Sequence, residues 1–422
     1  MNSMNLRLYA IQFVLLFSIL FGIQFIHLSN GDVVNHYPSI SPDGFDWYLE
    51  GVYLVKFLGG AALPNLPVLR PPLFVFVTAL DYITGNQGFV LAFIFGLAIF
   101  CTYYFSLKII DSVYEGSERN SWYIVPLAIG TTIYPLNFIK PFLLADSLAV
   151  ALSLASVLLL IRSQFASKSY PVVLSVTAAV LAGTTQTYAL LPYLISCAIG
   201  VLLHFRYNKN RAFQFLLMII AASLAFIFIS AIWRWVLPHG TTPSNFDLLK
   251  LSANMFSFYA NTWSFYFIPF ILFFIIYRRY QIVSIIPNHV RSTSAVVVLL
   301  FALLCFFYQW PEARFTYYFW PWLMILFFTS IRMHTVKGAY LISILMLALV
   351  VLNLANYWAP SWQSVRVNVT HNWVGDYFAA SPVDRKLNAC SNDCDGKNEF
   401  LNNSDSYVNS TIKIYMQIKG IQ

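Results

Sequence analysis

Apolar runs of roughly 20 residues, separated by short polar or basic breaks, recur along most of this chain. Each is long enough to cross a ~30 Å hydrocarbon core as a helix. Backbone groups in lipid must pair within the structure, and continuous runs suit helices better than the alternating pattern of a barrel strand. The first run, Tyr9–Ile26, follows a short basic start and lacks a small-residue cleavage site, so it reads as an uncleaved span. Further spans are predicted at Phe89–Lys108, Trp122–Phe138, Ser147–Ile161, Pro171–Tyr188, Leu190–His204, Ala212–Trp235, Phe265–Tyr277, Ala295–Phe307, Tyr318–Ile331 and Ala339–Tyr357. Two stretches, Pro135–Asp146 and Gln186–Pro192, could be re-entrant or tightly turned. The predicted fold is all-α: a polytopic transmembrane helical bundle of about eleven spans over residues 1–358. A long first loop, residues 29–88, holds two shorter amphipathic pieces, Trp47–Leu58 and Leu73–Ile83, and residues 359–422 form a polar tail without periodicity.

Composition agrees. The 422 residues are 59% hydrophobic and only 10% charged, with mean hydropathy +0.67, against about 25% charged in a soluble domain. The formal charge of +8 is not a nucleic-acid signature, because Lys and Arg stand singly or in pairs beside the spans and no nucleic-acid motif is present. Their placement sets an orientation. With the N-terminus inside, thirteen basic residues fall in short inner segments and six in the outer ones, and long tails weigh little in this comparison. The acids divide the other way: only Asp111, Glu115 and Glu118 fall inside. Chemistry that needs carboxylates is therefore expected on the extracytoplasmic face. Cys101, Cys197 and Cys305 lie in apolar runs and read as packed hydrophobes, whereas Cys390 and Cys394 in the tail could form a small disulfide in an oxidising compartment.

The first loop holds the densest candidate chemistry. Asp43, Asp46 and Glu50 are spaced three and four apart, which places them on one face of a helix that Ser41 can cap and Pro42 can start. Trp47, Tyr48 and Tyr53 add aromatic surface for a membrane interface or a sugar ring. A carboxylate here could act as general base on an acceptor hydroxyl; the plainer reading is a solvated loop helix. Arg70-Pro71-Pro72 stiffens the chain and biases Arg70 away from helix, so that a fixed guanidinium could meet a phosphate. Lys140 and Asp146 lie at the outer ends of adjacent spans, where an ion pair is an equal alternative to a functional role. Glu312 and Arg314 sit in an aromatic stretch at another outer mouth, read either as a second phosphate site or as an interfacial belt. Three tail sequons, at Asn368, Asn402 and Asn409, are what an Asn-rich segment yields by chance. The stretch Ser391-Asn-Asp393-Cys-Asp395-Gly396 lacks the acid at the first position of a calcium loop and has Asn402 where the loop needs a glutamate at the twelfth, and no Walker, dinucleotide or nucleophile-elbow motif is present.

In their order and sidedness these pieces resemble a known family. The acidic helix after the first span, then Arg70-Pro-Pro-Leu73 and Leu80-Asp-Tyr-Ile-Thr-Gly85, is similar to the first periplasmic loop of GT-C membrane glycosyltransferases, among them protein O-mannosyltransferases and lipid A aminoarabinose transferases. Asp146-Ser-Leu at the head of a span, Gly183-Thr-Thr-Gln-Thr-Tyr-Ala-Leu-Leu191 and Arg314-Phe315 extend the likeness over roughly Leu8 to Ile331. Two departures stand out: the first-loop acids are spread as Asp-x-x-Asp, and Gln186 replaces a common Arg.

The resemblance implies an inverting glycosyltransferase that moves one sugar from a polyprenyl-phosphate donor to a glycan or glycolipid acceptor. The small size and outward tail resemble transferases that decorate O-antigen of lipopolysaccharide. Asp46, Asp43 or Glu50 would take the acceptor proton. Arg70, with Arg314 or Lys140, would balance the departing phosphate, and Asp146, Tyr48 and Glu312 would support the site. No nucleotide or other cofactor is needed, although the acids could also hold a divalent metal. Expected partners are the lipid-linked donor, the acceptor glycan and membrane lipid, in a bacterial inner membrane with the tail in the periplasm. A polysaccharide polymerase or ligase is the first rival, but it would favour basic rather than acidic outer loops. A transporter or flippase is the second; it predicts charged or broken helices at the midplane and repeated halves, whereas the spans here are mostly free of charge and show no repeat.

Overall fold

A computed structural model describes residues 42–61, 66, 69–84, 89–114, 123–133, 145–164, 170–237, 288–307, 316–330, 344 and 348. They are almost entirely helical, and no β-strand occurs among them. The expected spans Tyr9–Ile26 and Phe265–Tyr277, all of Ala339–Tyr357 but residues 344 and 348, and the polar tail with Cys390 and Cys394 lie outside the described residues, as does the side chain of Cys305.

The first loop folds into two helices. Helix α1, Pro42–Leu58, starts at a proline, whose missing N–H is no loss in a first turn. It ends in a Schellman motif: the Ala61 N–H reaches Lys56 O, the Gly60 N–H reaches Phe57 O, and Gly60 takes φ +82, a conformation glycine adopts without strain. Helix α2, Pro72–Ile83, again begins at a proline, after Pro71 in an extended conformation. Thr84 closes it, its N–H and hydroxyl both bonding Leu80 O.

Helix α3, Phe89–Val113, follows, then the short α4, Ile124–Ala128, and α5, Asp146–Ser163. Helix α6 is Tyr170–Thr185, α7 Leu191–His204, α8 Lys209–Val236, α9 His289–Phe307 and α10 Thr316–Ser330. Among the described residues, four helical stretches are long and apolar enough to cross a membrane: Phe89–Val113, Asp146–Ser163, Thr187–His204 and Lys209–Val236. Helix α8 shows why lipid suits this chain. Leu216, Ile220, Leu224, Ile227 and Phe228 are exposed along its length, a continuous apolar surface that in water would drive association. This is the build of a membrane protein.

The expected span at Trp122–Phe138 is irregular where it is described. Helix α4 passes into a π-helical turn, Ile129–Ile133. The Thr131 and Thr132 hydroxyls bond back to Leu127 O and Ala128 O at 2.7 and 2.5 Å, and the Trp320 indole N–H takes Gly130 O at 2.7 Å. Side chains competing for backbone carbonyls are a recognised cause of such widening. The expected tight turn near Gln186 is a break between α6 and α7. Gln186 is extended, and a 3-10 turn over Thr187–Leu190 leads into α7.

The larger core gathers Ile99, Tyr103, Leu127, Leu154, Val157, Val297, Trp320 and Phe328 from α3, α4, α5, α9 and α10. A second joins Leu160, Ala179, Tyr193, Cys197, Phe215 and Ala222 across α5 to α8. Asp81 fixes the turn between α2 and α3. Only 1% exposed, its Oδ1 accepts from the Val90 N–H at 3.0 Å and so caps the first turn of α3. Asp81→Ala is expected to cost about 0.5–2 kcal/mol, and Asp81→Asn, which keeps the acceptor, much less. Thermal unfolding of the two variants in detergent measures the difference.

Candidate functional site

Arg70 precedes two prolines and stands outside α2, so neither its N–H nor its C=O has a helical partner. Buried backbone groups in that position need acceptors and donors from elsewhere. The N–H finds Glu50 on α1, with Oε1 at 3.0 Å and Oε2 at 2.9 Å. Glu50 is only 3% exposed. A buried carboxylate is costly unless hydrogen-bonded, and here it faces a backbone donor just before the N-terminus of α2, where the helix dipole also favours an anion. The Arg70 guanidinium carbon lies 5.8 Å from the ring centroid of Trp47, one turn before Glu50, within cation–π range.

The two helices touch closely enough to hold this geometry. The Thr78 hydroxyl donates to Trp47 O at 3.0 Å, and Trp47 meets Phe74 edge to face with centroids 5.3 Å apart. At Gly51 the backbones approach so nearly that a Cβ would stand 2.2 Å from Thr78 Oγ1 and 2.6 Å from the Ala79 nitrogen. Tyr53 is fully buried beside this contact, and burial pushes its phenol above the ordinary value, so it stays neutral.

Contacts between distant elements place this assembly at one end of the bundle. Helix α8 starts beside the end of α5, where Arg211 Nη2 donates to Gln164 O at 2.8 Å. Its last turn begins at Trp233, whose Nε1 donates to Arg70 O at 2.9 Å. The opposite terminus of α5, headed by Asp146, therefore shares the end that holds Arg70. Asp146 is 2% exposed and accepts from the Tyr318 hydroxyl at the head of α10. Tyr188 from the α6–α7 connection meets Tyr318 edge to face at 5.4 Å, and Phe301 stacks on it at 5.8 Å. Asp81, in the last turn of α2, caps the start of α3 at the same end. The far end of α3 carries Asp111, which accepts from Tyr123 OH at 2.7 Å and pairs with Lys108 at 3.4 Å.

The candidate residues divide accordingly. Glu50, Arg70 and Asp146 come to one end of the bundle, with Glu50 and Arg70 in direct contact. Asp43, Asp46 and Tyr48 lie on α1, Asp46 one turn before Glu50, with their side chains outside those described. Lys140, Glu312 and Arg314 lie outside the described residues, so the Lys140–Asp146 pairing has no geometry here. The three described carboxylates at this end all hold hydrogen bonds: Glu50 to the Arg70 N–H, Asp81 to the Val90 N–H, and Asp146 to the Tyr318 hydroxyl. Trp233 and Tyr318 join the site through contacts across 163 and 172 residues. In the sequence nothing sets either apart from the aromatics that belt any membrane span. No protein-family model matches the chain, and no curated protein or solved structure matches it.

Proposed function

We propose that this chain is an inverting glycosyltransferase that moves a single sugar from a polyprenyl-phosphate donor to a glycan or glycolipid acceptor, with O-antigen lipopolysaccharide the acceptor class its build favours. The reading takes the N-terminus as cytoplasmic, a bundle of eleven spans and an active site on the outer face of a bacterial inner membrane. One observation carries it: the acid helix α1 and the Arg-Pro-Pro turn, 20 residues apart, are locked together by Glu50 on the Arg70 N–H, beside an aromatic face.

That arrangement suits displacement of a lipid phosphate. Asp46, or Asp43 one turn before it, takes the proton from the acceptor hydroxyl. The oxygen attacks the anomeric carbon, the bond from that carbon to the phosphate oxygen breaks, and the configuration inverts. The departing phosphate gains negative charge, which Arg70 balances, with Arg314 or Lys140 as further cations. Glu50 contributes by holding the Arg70 backbone, and Asp146 by anchoring the head of α5 to α10. The donor tail stays in hydrocarbon, which accounts for a site at the end of apolar helices.

Intact-glycan mass comparison of cells with and without the protein tests the reading. A gain of one hexose-sized unit per acceptor repeat is expected with the wild-type chain, and Arg70→Ala should lose most of it at unchanged membrane abundance. An altered chain-length distribution with no new mass would favour a polymerase instead, and no change in either would end the transferase reading.

A further inference from the structure

Arg70 is held from both sides of its own residue. Its N–H is fixed by Glu50, and its C=O accepts from the Trp233 indole at 2.9 Å. The carbonyl belongs to a residue outside α2, so without Trp233 it would lose this partner. Pro71 restricts the Arg70 backbone further. Together these fix the point from which the guanidinium springs, leaving it over Trp47. Trp233 is itself confined: it is 7% exposed and its ring packs on Phe76 of α2 with centroids 5.4 Å apart. Two residues on, Trp235 is 88% exposed, as an interfacial belt residue would be. The two tryptophans at the end of one span thus have different employment.

We infer that Trp233 is a positioning residue of the site, acting through the Arg70 backbone to aim the guanidinium at the donor phosphate. The inference rests on the proposed function, since it gives that phosphate as the group Arg70 meets. It also makes α8 part of the active-site architecture: the long apolar helix delivers one hydrogen-bond donor to the Arg-Pro-Pro turn.

The test uses the full chain in detergent, with a short-chain polyprenyl monophosphate as the binding probe. Trp233→Phe keeps a ring against Phe76 and removes only the N–H. Losing one such hydrogen bond should weaken probe affinity, and raise the donor KM, by about 2- to 10-fold with kcat nearly kept and the unfolding temperature unchanged. The same substitution in an Arg70→Ala background should then have no further effect, because Trp233 acts through the guanidinium. An equal loss in both backgrounds would make Trp233 merely structural and overturn the inference, as would unchanged affinity in the single variant. A wild-type protein that binds no polyprenyl monophosphate would overturn the functional reading with it. If Trp233→Phe unfolds, Trp233→Tyr supplies the comparison: its hydroxyl cannot occupy the indole N–H position, so the affinity loss should persist in a folded protein, and wild-type affinity there would count against the role.

Discussion

Asp46→Asn is expected to abolish sugar transfer while leaving the protein at its normal abundance in the membrane. A positioned general base contributes about 10²- to 10⁴-fold to rate, and an amide of the same size has no proton affinity to offer in its place. The three carboxylates described at this end of the bundle are each committed to a hydrogen bond, and the proposed mechanism gives the proton to Asp46 or Asp43 instead. Asp46 lies beyond the first turn of α1, so removing its charge should change helix stability little. Asp43 differs. It stands at the second helical position, where a negative charge favours the helix dipole by about 0.3–1 kcal/mol, and Asp43→Asn should show that loss in thermal unfolding. Transfer assays on both variants separate the roles. Full activity in Asp46→Asn with loss in Asp43→Asn would move the base to Asp43, and full activity in both would remove α1 from the chemistry.

Gly51→Ala is expected to destabilise the first loop by about 1–3 kcal/mol and to reduce transfer along with it. The added methyl would lie 2.2 Å from the Thr78 hydroxyl and 2.6 Å from the Ala79 nitrogen. A hydroxyl can rotate aside, but a backbone nitrogen inside α2 moves only if the helix moves. Parting α1 from α2 stretches the hydrogen bonds from Thr78 to Trp47 O and from the Arg70 N–H to Glu50. Limited proteolysis of the first loop and thermal unfolding report the loosening. A variant as resistant and as active as the wild type would show that the two helices can separate without harm to the site.

The local chemistry of this site was legible in the sequence, and its long-range ties were not. Pro42 announces a helix start, because proline's fixed φ and missing N–H suit a first turn, and α1 begins there; Arg70-Pro71-Pro72 reads from the sequence only as a stiff turn, and α2 begins at its second proline. Apolar period and length mark α3, α5 and α8 within a few residues of their bounds. Spacing correctly put Asp43, Asp46 and Glu50 along one helix, yet it could not say that Glu50 is buried on a backbone N–H. That depends on where Arg70 arrives, which is a tertiary matter. The same holds for Trp233 and Tyr318, whose partners lie 163 and 172 residues away. The π turn after α4 escaped for a related reason: Thr131 and Thr132 fit an apolar span pattern, and what widens the helix is competition for carbonyls, one of them claimed by Trp320.

The bond between Trp233 and the Arg70 carbonyl has a consequence for biosynthesis. Arg70 leaves the ribosome 163 residues ahead of its partner. At about 5–20 residues per second that is a delay on the order of 10 to 30 s. Glu50 emerges before Arg70, so the α1–α2 unit can close as soon as α2 is made, while the carbonyl side waits for α8 to enter the bilayer. A nascent chain stalled before Trp233 would therefore carry a formed loop with its arginine secured on one side alone.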